Sequence, residues 1–93
     1  MKISIFGLGY VGCVSVGCLS KMGHDVIGVD INEEKVSMIN NGNATIIEKD
    51  IEKLINNGWQ KKRISATTDA IGAVRNSDIS FICVGTPSNK NGE

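Results

Sequence analysis

Three glycines interrupt the apolar N-terminal stretch, in the run Gly7-Leu8-Gly9-Tyr10-Val11-Gly12. That spacing suits one piece of chemistry, the cradling of a diphosphate by main chain. Gly7 permits a tight turn out of a strand. Gly9 has no side chain, so a pyrophosphate can approach the backbone, and Gly12 lets the following helix pack closely on the sheet. The anion would meet the free N–H groups and positive dipole end of that helix, with Tyr10 and Val11 presenting amides there. Such a site requires no lysine, and none stands in the loop.

The second feature is Asp30, eighteen residues beyond Gly12. A carboxylate at that distance accepts hydrogen bonds from the hydroxyls of an adenosine ribose. Its charge would oppose a 2′-phosphate, so the expected cofactor is NAD rather than NADP. Lys35 follows within the next helix, a candidate to lean over the adenine or simply a solvated cation. Thr86, between Gly85 and Pro87, is a candidate contact to the nicotinamide-side ribose or a phosphate; the alternative is a turn whose threonine bonds its own backbone.

Other chemistry is thinly represented. Cys13, Cys18 and Cys83 show no CxxC spacing, and none has a histidine or lysine beside it to make a thiolate. They are expected to be buried reduced thiols. His24 is expected on the surface away from the cleft, Glu48 is a lone acid, and Trp59 is expected to pack under a turn at Gly58. No base–nucleophile pair, acid dyad or metal cluster is evident, so no catalytic residue is assigned.

These groups need a scaffold to bring them together. Residues 2–6 predict a strand, and Val11, Val14, Cys18, Leu19 and Met22 recur at helical spacing up to a stop at Gly23. Residues 25–30 predict a second strand ending on Asp30, and Asn32 a helix cap ahead of Glu33 and Glu34. That helix should stop near Asn41-Gly42. Residues 44–50 could be extended, with Asp50 capping a short helix that ends at Asn57-Gly58. Ile64–Ala66 predict a short strand, and Asp69 caps a helical turn through Ile71 and Val74. The apolar run Asp78–Pro87 predicts a strand covered on both faces. Alternating strands and helices specify an α/β fold, a doubly wound parallel sheet of Rossmann type, partial, with four strands in order 3-2-1-4. In that order the loops after strands 1 and 4 open one crevice, so the glycine run and Thr86 share it.

Composition narrows the class further. Ten basic and ten acidic residues cancel, which argues against a nucleic-acid or anionic-membrane binder. No apolar run approaches the ~20 residues of a membrane span, and the N-terminal stretch lacks the charged start and cleavage site of a signal peptide. A single small domain with a modest core is expected from 93 residues.

Residues 5–12 (IFGLGYVG), 23–30 (GHDVIGVD) and 81–92 (FICVGTPSNKNG) together resemble the N-terminal segment of the nucleotide-sugar 6-dehydrogenases. The resemblance covers nearly the whole chain and lies nearest the members acting on GDP-mannose, those acting on UDP-glucose being close relatives. It implies that residues 1–93 are the N-terminal part of an NAD-binding Rossmann domain, the remainder of the enzyme being absent. It also implies a cytoplasmic oxidoreductase of polysaccharide biosynthesis, homo-oligomeric at full length. Such an enzyme oxidises a sugar C6 hydroxymethyl to carboxylate with two NAD, through a cysteine-bound thiohemiacetal and thioester. By position, Tyr10, Val11, Asp30, Lys35 and Thr86 would contact NAD. The family's catalytic cysteine and lysine would lie beyond residue 93, so the fragment alone is not expected to turn over. Where the family commonly has Glu-Pro-Gly, this chain has Glu48-Lys49-Asp50, which leaves the role of Glu48 open. Competing expectations are a stand-alone nucleotide-binding module without catalysis and a different Rossmann dehydrogenase, such as one acting on 2-hydroxy acids.

Overall fold

The β-branched run at the N-terminus and the capping residues downstream produce eight elements in the computed structural model, which describes residues 1–83. In chain order these are β1 (Lys2–Phe6), α1 (Tyr10–Lys21), β2 (Asp25–Val29), α2 (Glu33–Asn40), α3 (Lys49–Gln60), β3 (Ile64–Thr67), α4 (Ala70–Arg75) and β4 (Ile79–Ile82). The strands form one parallel sheet in the expected order β3-β2-β1-β4. Phe6 pairs with Val29 at the C-terminal end of the two central strands. The glycine run and Asp30 therefore leave the sheet side by side.

Strand alternation separates the two faces. Ile3, Ile5, Val26 and Ile64 share one face and pack with Cys13 and Val16 of α1, Ile39 of α2, and Ile51 and Ile55 of α3. Each such side chain contributes roughly 1.5–3 kcal/mol when fully buried. The opposite face carries Ser4, whose hydroxyl lies 3.0 Å from that of Ser77 and 2.6 Å from that of Ser80. Ala73 of α4 is buried on that side.

Several local expectations hold. Asn32 caps α2 by accepting from the N–H groups of Glu34 and Lys35, Asp69 caps α4, and Gly23 and Gly42 follow their helices with φ of +100° and +80°. Others are corrected. The Val11–Met22 stripe marks a helix but not its buried face. Gly12, Cys13, Val16, Gly17 and Ser20 are buried instead, whereas Val11 and Met22 are 60% and 70% exposed. The reason is packing: α1 lies against both the sheet and α3, where small side chains allow close backbone approach. Val14, Cys18 and Leu19 line an apolar groove of about 390 Å³ beside Phe81 and Cys83. Cys18 is thus exposed and Cys83 half-buried; only Cys13 is the buried thiol expected.

The second crossover also differs. Glu48, not Asp50, caps α3, accepting from the N–H groups of Asp50 and Ile51. Gly58 does not end that helix. It lies on the buried face, where an added Cβ would stand 2.5 Å from Ile64 Cδ1 and 2.6 Å from Ser20 Oγ. The turn comes later, at Lys62 with φ 60°. Trp59 packs over Gly42 rather than under Gly58, and its Nε1–H donates to the Asn40 carbonyl at 2.8 Å. In α4, Ile71 and Val74 are exposed. β4 also differs from the doubly covered strand expected: Ile79, Phe81 and Ile82 are 42%, 45% and 69% exposed, because among the described residues α1 and α4 pack mainly over β1 and β2 and leave β4 at the sheet edge.

Candidate functional site

Between Phe6 and Tyr10 the chain reverses within three residues, Gly7-Leu8-Gly9. Gly7 takes φ +100°, a left-handed conformation costly for any side chain, and its N–H donates to the Val29 carbonyl at 2.8 Å. Gly12 sits directly above: an added Cβ would stand 1.6 Å from the Gly7 carbonyl oxygen. Around Gly9, by contrast, there is open space. α1 begins at Tyr10 with no side-chain cap and no acid in its first turn. Its first N–H groups, which no helix can satisfy internally, are left for an outside acceptor. The Tyr10 and Val11 side chains are largely exposed there.

Asp30 joins this loop directly. Its Oδ2 accepts from the Leu8 N–H at 2.8 Å and its Oδ1 from the Asn32 N–H at 2.9 Å. A carboxylate has about four acceptor positions, so two remain for a ligand's hydroxyls. Partial burial pulls its pKa upward, but the Leu8 and Asn32 N–H groups and the Lys35 charge outweigh this, leaving it below the ordinary 3.8. Lys35 therefore acts on Asp30 electrostatically from the first turn of α2. The sign of the pH dependence follows. The folded pKa is depressed, so these bonds stabilise the fold fully above pH 3.8 and are lost as pH falls through the lowered value. Carbon-detected NMR titration of the Asp30 carboxyl should give a midpoint below 3.8, and one above it would contradict this account.

Gly7, Gly9, Tyr10, Val11, Gly12, Asp30 and Lys35 thus gather at one end of the sheet. Thr86 lies outside the described residues. His24 is at the opposite end, in the turn before β2, and Glu48 serves as a helix cap. A groove of about 610 Å³ lined by Lys21, Lys53, Lys61 and Arg63 runs between α1 and α3. Its lining also includes Asp50 of the first turn of α3, whose N–H is already bound by Glu48, and it contains no residue of the glycine loop. Among the described residues no three His, Cys, Asp or Glu side chains gather as a metal site, and no helix is long and apolar enough to cross a membrane.

A glycine loop, an uncapped helix start and a carboxylate bonded between them form the arrangement of a dinucleotide-binding domain. The whole chain, residues 1–93, matches the UDP-glucose/GDP-mannose dehydrogenase family, NAD binding domain. The chain belongs to this family. It is 58% identical over all 93 residues to GDP-mannose 6-dehydrogenase of Pseudomonas aeruginosa, of which it spans 21%. It is 40% identical over 92 residues to UDP-glucose 6-dehydrogenase of Bacillus subtilis, covering 99% of this chain and 20% of that protein. A crystal structure of a ternary complex of GDP-mannose dehydrogenase from Pseudomonas aeruginosa superposes with a TM-score of 0.95 at 58% identity, covering 100% of this chain and 21% of that one. The chain thus spans about one fifth of the relatives it matches.

Within this NAD-binding domain, sequence reasoning missed Leu8 and Thr45 as builders of the site, and saw Asn32 only as a helix cap. Leu8 is fully buried and offers its N–H to Asp30. Asn32 caps α2 with its side chain and, through its N–H, holds the second Asp30 oxygen. Thr45 donates its hydroxyl to the Leu8 carbonyl at 2.8 Å. An apolar residue between two glycines is a sequence hint for the first. No spacing rule points to Thr45.

Proposed function

We propose that this chain is the NAD-binding part of a nucleotide-sugar 6-dehydrogenase that oxidises the C6 hydroxymethyl of GDP-mannose to a carboxylate. The Asp30–Leu8 bond carries this reading, because it locks a ribose-binding carboxylate to a diphosphate-binding loop. The residues fit NAD: open space at Gly9 receives the pyrophosphate, and the first N–H groups of α1 bind its oxygens. Asp30 takes the adenosine ribose with its free acceptor positions, and Lys35 stands at the adenine side. Tyr10, Val11 and Thr86 complete the contacts. Bound NAD supplies the hydride acceptor, while this chain binds and orients it. The cysteine that attacks the sugar aldehyde belongs to the remainder of the enzyme, as do the sugar-nucleotide contacts. GDP-mannose is preferred to UDP-glucose because identity reaches 58% to the first kind of relative and 42% to the second. A cytoplasmic homo-oligomer serving polysaccharide synthesis fits an enzyme of that class.

Calorimetric titration with NAD and NADP tests the cofactor assignment. NADP should bind at least roughly tenfold more weakly, since its 2′-phosphate meets the Asp30 charge. Equal affinities would overturn the assignment.

A further inference from the structure

We infer that Thr45 is a positioning residue of the NAD site, holding the Leu8–Gly9 peptide so that its N–H faces the pyrophosphate. The inference rests on the cofactor reading above.

Leu8 is held at three points. Its side chain is fully buried against β2, where an added Cβ on Gly28 would stand 2.7 Å from Leu8 Cδ2. Its N–H is bound by Asp30 at 2.8 Å. Its carbonyl accepts the Thr45 hydroxyl, also at 2.8 Å. The first two anchors belong to β2 and the residue that follows it, and they hold the side chain and the N–H of Leu8. Among the described residues, Thr45 is the group that bonds the peptide on the other side.

That peptide is planar and trans, so its carbonyl and the Gly9 N–H point in opposite directions. Drawing the carbonyl toward Thr45 therefore turns the Gly9 N–H the other way. Gly9 cannot resist rotation itself, because it has no side chain and open space around its Cα. Without Thr45 the carbonyl loses this bond, and any rotation of the peptide turns its partial negative charge toward the diphosphate.

The connection between α2 and α3 explains how Thr45 reaches the loop. α2 descends from the site, and the chain must climb back before α3 can descend again to β3. Buried Ala44 and half-buried Ile46 fix this ascending segment to the core on either side of Thr45. Thr45 is therefore supported as firmly as the loop it holds.

Thr45→Val keeps the shape and removes the donor, and Thr45→Ser keeps the hydroxyl. Calorimetry with NAD and with adenosine, which lacks the diphosphate, separates the two ends of the site. Thr45→Val should weaken NAD roughly 5- to 10-fold and leave adenosine within about twofold, with Thr45→Ser restoring NAD binding. In the ¹⁵N spectrum the Gly9 amide should shift in the valine variant and return in the serine variant. If Thr45→Val fails to fold, Thr45→Ala carries the same comparison. NAD binding unchanged in the valine variant, or equal losses for NAD and adenosine, would overturn the assignment. A wild-type protein that binds no NAD would instead overturn the cofactor reading, and this one with it.

Discussion

Gly12→Ala is expected to lower the melting temperature by roughly 15 °C or more. The new Cβ would stand 1.6 Å from the Gly7 carbonyl oxygen, a main-chain atom that no rotamer change can move aside. Relief requires lifting α1 from the end of β1, and α1 is packed against β2 and α3 as well. Such overpacking costs about 3 kcal/mol or more, out of a total of roughly 5–14 kcal/mol for a domain of this size. At roughly 4–8 °C per kcal/mol, the shift is easily read by circular dichroism. Gly9→Ala is the control. Its Cβ meets nothing within 4 Å and its φ of −79° is open to any residue, so melting should hardly change. NAD affinity should nevertheless fall, because that Cβ enters the space assigned to the pyrophosphate. A Gly12→Ala protein melting within a few degrees of the parent would mean that α1 can shift on the sheet.

The second large effect is expected at Asp30. Replacing it with alanine removes the ribose acceptor and releases the Leu8 and Asn32 N–H groups together. Hydrogen bonds to a charged group contribute about 1.5–3 kcal/mol each. With partial compensation by water, NAD affinity should drop by about 3 kcal/mol, roughly 100-fold. NADP should change far less, because its loss of ribose contacts is offset by relief of repulsion at the 2′-phosphate. Asp30→Asn should lie between, as its one carbonyl oxygen can hold one of the two N–H groups. The measured quantity is the NAD to NADP affinity ratio, and a ratio untouched by Asp30→Ala would remove the carboxylate from the cofactor site.

The two substitutions act on different parts of one device. Gly12 sets how closely the helix start sits over the strand end, and Asp30 ties that turn to the neighbouring strand. Thr45 adds a third hold, from a segment distant in sequence from both. The loop reaches the ligand already ordered, so less binding energy is spent on fixing it.

Residue types and short spacings determined the strand order, the glycine turn, the caps at Asn32 and Asp69, and the acid at the end of β2. The strand order follows from alternating elements and right-handed crossovers; the others rest on chemistry within a few residues: a left-handed φ, the reach of a carboxamide or carboxylate to a nearby N–H. Beyond Gly12, tertiary structure alone decided the buried face of α1, because the helix packs through Cys13, Val16, Gly17 and Ser20 against partners that no local pattern names. It decided that Gly58 admits Ile64 and Ser20 instead of ending α3. It also decided that Thr45 meets Leu8 across 37 positions of chain. Contacts of that range depend on how the crossover climbs between two helices, which the whole packed sheet dictates and no local stretch of chain encodes.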